Sequence, residues 1–275
     1  MNKNIELLMP IKATPYEHQK KAFAFACDKF GVFDNQLKSR GTALLMEMGT
    51  GKTIVSIAVS GCMYQYGKIN RVLVVAPLSI LGVWEEEFAK FADFPYSLAI
   101  LKGTVAKKKE QLTKLPEEGL QVVVVNYESA WRLEKELLAY NPDLVIADEA
   151  HKLKENRSKQ SQGMQHIGDK AKYKLLLTGT VITNRELDVF SQYRFLNPQI
   201  FGMSFYAFCN RYFDMGGYGN HTLIFRKWTM DDFPKKLHSV AFRVTKAECL
   251  NLPEITEEVR TVELEKDAAK IYDSI

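Results

Sequence analysis

The chain has 275 residues, 46% of them hydrophobic, enough to bury one large core or two modest ones. Its 37 Lys and Arg against 33 Asp and Glu leave a net charge of +4, too mild to mark a nucleic-acid binder without local clusters. Cys27, Cys62, Cys209 and Cys249 lack paired spacing, which argues against a zinc site or disulfide framework and suits a reducing compartment. No stretch is apolar enough for a membrane span or a signal peptide, so the expectation is a cytoplasmic protein without a membrane partner.

In chain order, an N-terminal segment (1–40) precedes a region of alternating strands and helices (41–185). Strands are expected at "TALLME", Arg71–Pro77, Gln121–Tyr127, Asp143–Asp148 and Lys174–Thr180. Such continuous apolar runs suit a mostly parallel sheet with helices on both faces, an α/β fold. Between them, Leu81, Trp84, Phe88 and Phe91 recur at helical spacing, and Trp131–Tyr140 reads as a further helix. Beyond, "TNRE" (Thr183–Glu186) matches a capping box, and aromatic-rich helical sequence runs to Phe213. "DMGGYGNHTLIF" suggests a loop or hairpin, "SVAFRV" and "TEEVRTVEL" late strands, and "EKDAAKIYDSI" the start of a helix. The 186–255 stretch is expected as a helical and hairpin extension packed on the same lobe, and 256–275 as the start of a linker.

"MGTGKT" between an apolar strand and an apolar helix is the pattern of a phosphate-binding loop. Met48, Gly49, Thr50 and Gly51 would wrap phosphates, Lys52 would meet the β and γ phosphates, and Thr53 would offer a hydroxyl to Mg. The first-glycine position of the motif holds Met46. The strand "VIADEAH" ends in two carboxylates at the sheet edge where ligands bind in open α/β folds. Asp148 would hold Mg and Glu149 would prepare the attacking water, making Lys52, Asp148 and Glu149 the catalytic candidates for ATP hydrolysis.

These motifs resemble those of superfamily-two helicases, and more narrowly the Swi/Snf-like DNA translocases, over nearly the whole chain. "EMGTGKT", "VVAPLSILGVWEEEFAKF", "DEAHKLKENRSKQSQ" and "LLLTGTVITN" look like their motifs I, Ia, II and III. "RFLNPQIFG", "FCNRYF" and "LHSVAFRVTKAECLNLPE" resemble segments of the Swi/Snf branch. Val181 stands where the family usually has proline, and Met46 where it has Asp or a small residue.

The resemblance implies a RecA-like N-terminal lobe in which Gln19, in "TPYEHQ", reads adenine. His151, Thr178, Gly179 and Thr180 would couple nucleotide state to DNA. Pro77, Ser79, Asn126 and Tyr127 would approach the tracking strand, with little sequence specificity. Lys154 and Arg157, directly after the acidic pair, are candidates for DNA or for a partner lobe, whereas Lys107–Lys109 suits a plain solvated helix face.

A second RecA-like lobe with its arginines is expected beyond Ile275. Because such arginines are worth roughly 10³–10⁵ in rate, this chain alone should bind ATP and Mg yet turn over poorly. The implied function is the first lobe of an ATPase translocating on double-stranded DNA. The alternatives are a lobe of a strand-separating DNA or RNA helicase, and a non-catalytic nucleotide-dependent binding module. The compact form suggests a bacterial or phage source.

Overall fold

A computed structural model describes residues 9–116, 118–182, 185–217 and 222–249. Its strands are β1 (Gly41–Met46), β2 (Arg71–Ala76), β3 (Tyr96–Ile100), β4 (Leu120–Asn126), β5 (Leu144–Asp148), β6 (Tyr173–Thr178), β7 (Phe213–Gly216), β8 (Thr222–Phe225) and β9 (Ala241–Val244). The helices in order are α1 (Glu17–Lys29), α2 (Lys52–Gln65), α3 (Leu81–Phe91), α4 (Val105–Thr113), α5 (Tyr127–Arg132), α6 (Glu134–Tyr140), α7 (Lys159–Lys170), α8 (Val189–Leu196), α9 (Pro198–Phe201), α10 (Phe205–Tyr212), α11 (Phe233–His238) and α12 (Lys246–Cys249).

Among the described residues seven strands form one sheet in the order β3-β4-β2-β5-β6-β1-β9, and every pairing is parallel. Alternation of side chains divides the core into two layers. Leu44, Val74, Val124, Ile146 and Leu177 pack with α1, α2 and α3 on one face. Leu45, Val75, Val125, Ala147 and Leu176 pack with α5 to α8 and the later helices on the other. Because both faces are covered, the inner strands are buried along their length, which is why they read as unbroken apolar runs.

Two features differ from the sequence expectation, and a third extends it. Strand β3 was not legible, because it is a half-buried edge strand whose "YSLAI" lacks the continuous apolar signature of its neighbours. Trp131–Tyr140 is two helices rather than one, since Leu133 leaves helical geometry at φ −104° and ψ 18°. "SVAFRV" forms a strand as expected, β9, and it pairs with β1, so the main sheet takes a strand from beyond residue 185.

At the expected capping box, Glu186 opens a single 3₁₀ turn whose Asp188 carboxylate accepts from the Arg185 amide at 3.4 Å. Thr183 lies outside the described residues, as do "TEEVRTVEL", "EKDAAKIYDSI" and the expected linker.

The "DMGGYGNHTLIF" stretch does form a hairpin, β7 antiparallel to β8. It is fastened by an aromatic cluster in which Phe201, Phe208, Tyr212, Phe225 and Phe233 sit ring against ring at 5.0–6.4 Å. The Tyr193 hydroxyl ties this layer to α11 by donating to the Leu237 carbonyl at 2.8 Å.

Candidate nucleotide-binding site

All of the chemically suggestive segments leave the carboxyl edge of the sheet. The 47–51 loop follows β1, Glu149 follows β5, and Gly179 follows β6, which lies between those two strands. The loop requires its glycines. Gly49 has φ 84° and Gly51 has φ 91°, the left-handed region that glycine enters without steric cost. A Cβ on Gly51 would also lie 2.3 Å from the Gln19 side-chain nitrogen.

Lys52, first residue of α2, is buried and donates to the Met46 carbonyl at 3.0 Å. Met46 itself is core, so the first-glycine position serves here through its carbonyl oxygen, which any residue supplies. Thr50, expected at the nucleotide, is held by the loop itself. Its hydroxyl and its amide both donate to the Glu47 carbonyl, at 2.7 and 3.2 Å, so it shapes the loop in this conformation. Met48 is largely exposed at the loop tip.

A cavity of about 430 Å³ brings together Met48, Gly49, Gly51, Lys52 and Thr53 on one side and Asp148 and Glu149 on the other. Asp148 is buried, with Oδ1 accepting from the Glu149 amide at 2.9 Å and Oδ2 from Trp84 Nε1 at 3.0 Å. Burial, reinforced by the charge of Glu149, pushes its carboxyl up to about 6, while the Trp84 bond, the Glu149 amide and Lys52 pull the other way. Glu149 stands in the left-handed region at φ 48°, a conformation costly for a residue with a Cβ and concentrated at functional positions. Its Oε2 lies 3.2 Å from His151 Nδ1.

Oxygen donors from Asp148 and Thr53 in one cavity suit a hard cation. Among the described residues no group of three or more His, Cys, Asp or Glu could hold a metal.

Gln19 is buried beside the loop. Its Oε1 accepts from the Tyr16 amide at 2.9 Å and its Nε2 donates to the Thr50 carbonyl at 3.3 Å, leaving one N–H and one lone pair for a ligand. His18 Nε2 bonds the same Thr50 carbonyl at 2.8 Å. Thr178 is buried, and its hydroxyl donates to the Thr180 carbonyl at 2.8 Å. A Cβ on Gly179 would lie 3.7 Å from the Glu47 Cα and the Met46 oxygen, so motif III abuts the loop directly. Thr180 is exposed.

The candidates for nucleic-acid contact divide. Ser79 is exposed and Pro77 half-buried, at the start of α3. Asn126 ends β4 with its Oδ1 buried and without a hydrogen-bond partner among the described residues. Tyr127 is a correction: it is buried, its hydroxyl donates to the Asp148 carbonyl at 2.7 Å, and its phenol is pushed upward by burial and by the Asp148 and Glu149 charges. It buttresses the acidic pair instead of facing outward. Lys154 and Arg157 are exposed, and their side chains have no partner among the described residues. Lys109 pairs with Glu136 at 2.6 Å and Lys108 bonds Ser129, which pins α4 to the helices behind it.

Three residues near the site escaped assignment from sequence. His18 carried a signal only in its adjacency to Gln19. Trp84 read as one more inward position of an amphipathic helix, and nothing in its spacing announced a bond to Asp148. Lys246 is nearly two hundred residues from the loop in sequence, yet its Cε lies 3.7 Å from where a Cβ on Gly49 would be, and its amide donates to Glu47 Oε2 at 2.9 Å.

A family model described as the SNF2-related domain matches residues 17–275. The chain belongs to the SNF2-related family. The SNF2-related chain is 31% identical over 199 residues to "Switch 2" of Arabidopsis thaliana, covering 68% of this chain and 22% of that protein. It is 29% identical over 204 residues to the "DNA repair and recombination protein RAD54-like" of Drosophila ananassae, covering 68% and 24%. A solved structure, the "Sulfolobus solfataricus SWI2/SNF2 ATPase core in complex with dsDNA", superposes with a TM-score of 0.70 at 28% identity, covering 87% of this chain and 47% of that one. The SNF2-related chain therefore has the RecA-like N-terminal lobe of an SNF2 ATPase core, and it spans about a quarter of the length of these curated relatives. No described helix is long and apolar enough to cross a membrane.

The Trp84 bond yields a prediction. Trp84→Phe removes the only side-chain donor on Asp148 among the described residues while keeping an aromatic ring in the core. The Mg-dependent part of ATP affinity should fall about tenfold, as when a bond that orients a metal ligand is lost. Fluorescent-nucleotide titration with and without Mg checks this; an equal loss in both conditions would assign Trp84 to packing alone.

Proposed function

We propose that this lobe binds ATP with Mg and supplies the hydrolytic half of a motor that translocates on double-stranded DNA. The observation that carries the reading is the single cavity in which Lys52 and Thr53 face Asp148 and Glu149. Lys52 would leave the Met46 carbonyl for the β and γ phosphates, at little cost because it exchanges one polar partner for stronger ones. Mg, when bound, would neutralise phosphate charge, with Asp148 and Thr53 as its protein ligands. Glu149 would orient water and accept its proton, and Gln19 would use its free N–H and lone pair on the adenine edge.

Motif III, lying against the loop, and His151, 3.2 Å from Glu149, are suited to pass nucleotide state toward DNA. Ser79, Asn126, Lys154 and Arg157 form the proposed backbone-contacting set. Double-stranded DNA as partner is favoured by the likeness to the Sulfolobus solfataricus SWI2/SNF2 ATPase core, solved in complex with dsDNA. The second RecA-like lobe is proposed as the other partner, bringing the arginines that complete the site, and turnover by this chain alone is expected to be poor. The reading is of a protein at work in the cytoplasm.

ATPase assays on this chain joined to its second lobe test the proposal. Duplex DNA should stimulate hydrolysis more than single strands or RNA. Preferential stimulation by single strands or RNA would move the assignment to a strand-separating helicase.

A further inference from the structure

The opposite edge of the sheet, far from the nucleotide cavity, holds a second polar site. A cavity of about 460 Å³ lies at the amino ends of β1 and β6 and is lined by Arg40, Asp169, Lys174, Asn197 and Gln199 among others. Lys174 is only 4% exposed. Its stem passes α7 where residue 168 is glycine; a Cβ there would stand 3.3 Å from Lys174 Cδ. Its ammonium makes no hydrogen bond or ion pair among the described residues.

The surrounding charges explain why it stands alone. Asp169 is held by both Arg194 nitrogens at 2.8 Å, a bidentate fork that uses the carboxylate. Lys38, at the rim, is paired with Asp28 and Asp34. Arg40 is exposed, and its guanidinium has no partner among the described residues. Lys174 and Arg40 therefore contribute two uncompensated cations to one cavity, beside the amides of Asn197 and Gln199. Burial, and the nearby charges of Arg40 and Arg194, hold the Lys174 ammonium down to about 8 despite attraction to Asp169. A buried ammonium without a counter-ion is costly, and a cation that only needed water would reach further out.

We propose that this cavity binds a small phosphate-class anion, inorganic phosphate or a phosphomonoester, between Lys174 and Arg40. The class follows from the donors: two full cations, with the exposed Gln199 side-chain amide at the rim, match a compact, multiply charged oxyanion. Occupancy would neutralise the buried charge beneath β1 and β6, the strands that carry the phosphate loop and motif III.

The cradle around Lys52 also attracts phosphate, so the experiment is run in a Lys52→Ala background. Calorimetric titration of the 275-residue chain with inorganic phosphate, and separately with glycerol phosphate, is compared with chloride at matched ionic strength. The expected result is saturable binding of at least one of the two in K52A, weakened about tenfold or more by adding either Lys174→Met or Arg40→Gln. Arg40 is exposed, so its variant tests the site without disturbing the core. Tighter binding of one ligand identifies the source of the phosphate group. Absence of binding in K52A, or equal binding after both further substitutions, overturns the proposal and leaves only the cradle or general salt exclusion.

Discussion

Glu149→Gln should lower steady-state ATP hydrolysis by roughly 10²–10⁴-fold in the chain joined to the proposed second lobe, the range expected for loss of a general base. ATP affinity should stay within about twofold, because Lys52, Thr53 and Asp148 keep the contacts proposed for the phosphates and Mg. The structural reason for expecting a clean separation is local. Glu149 reaches its position through a left-handed backbone at φ 48°, and glutamine accepts the same geometry and the same His151 neighbour. What glutamine lacks is a carboxylate to take a proton. Unchanged turnover with unchanged binding would favour the non-catalytic module.

Lys174→Met should stabilise the protein in phosphate-free buffer near neutral pH by about 3 kcal/mol. The folded-state pKa of about 8 lies below the ordinary 10.5. The unfolded chain therefore holds the lysine proton more tightly, and the folded protein pays for keeping it at neutral pH. Between about 8 and 10.5 the unfolded state binds more protons, so stability gains with rising pH, and the penalty is gone above that window. Methionine removes the charge and fills the same channel beside Gly168, so the variant lacks this slope.

Buried Tyr193, Tyr140 and Tyr127 have pKa values raised chiefly by burial, which takes stability away at the alkaline end in both proteins. The difference between wild type and variant isolates Lys174. Denaturant unfolding at pH 7 and pH 10.5 measures it, and a gap of the same size at both pH values would deny the assignment. In thermal unfolding the neutral-pH gap corresponds to roughly 6–12 °C for a domain of this size.

How much of this was readable in advance depended on how local the cause was. Gly49, Gly51, Lys52 and Thr53 are consecutive or nearly so, and the loop they build needs only its own backbone and the following helix. Asp148 and Glu149 announced themselves because a buried strand rarely ends in two carboxylates. The inner strands were legible since burial on two faces writes an apolar run into the sequence, whereas β3 has one covered edge and wrote none. Thr50 and Tyr127 mark the limit of that legibility. Each belongs to a suggestive motif, yet each side chain is spent on a carbonyl of the loop or the acidic strand, and motif membership does not say which way a side chain turns.

The sequence by itself therefore determined the α/β class, the places of the inner strands along the chain, the phosphate loop and the acidic pair. Each of these rests on neighbouring residues or on a periodicity imposed by burial. Only the tertiary structure decided that Trp84 anchors Asp148, that β9 closes the edge of the sheet beside β1, that Lys246 lies over the loop, and that Lys174 and Arg40 share a cavity at the far edge. Those relations join residues distant along the chain, and their energies come from burial and charge in a shared space that no local pattern encodes.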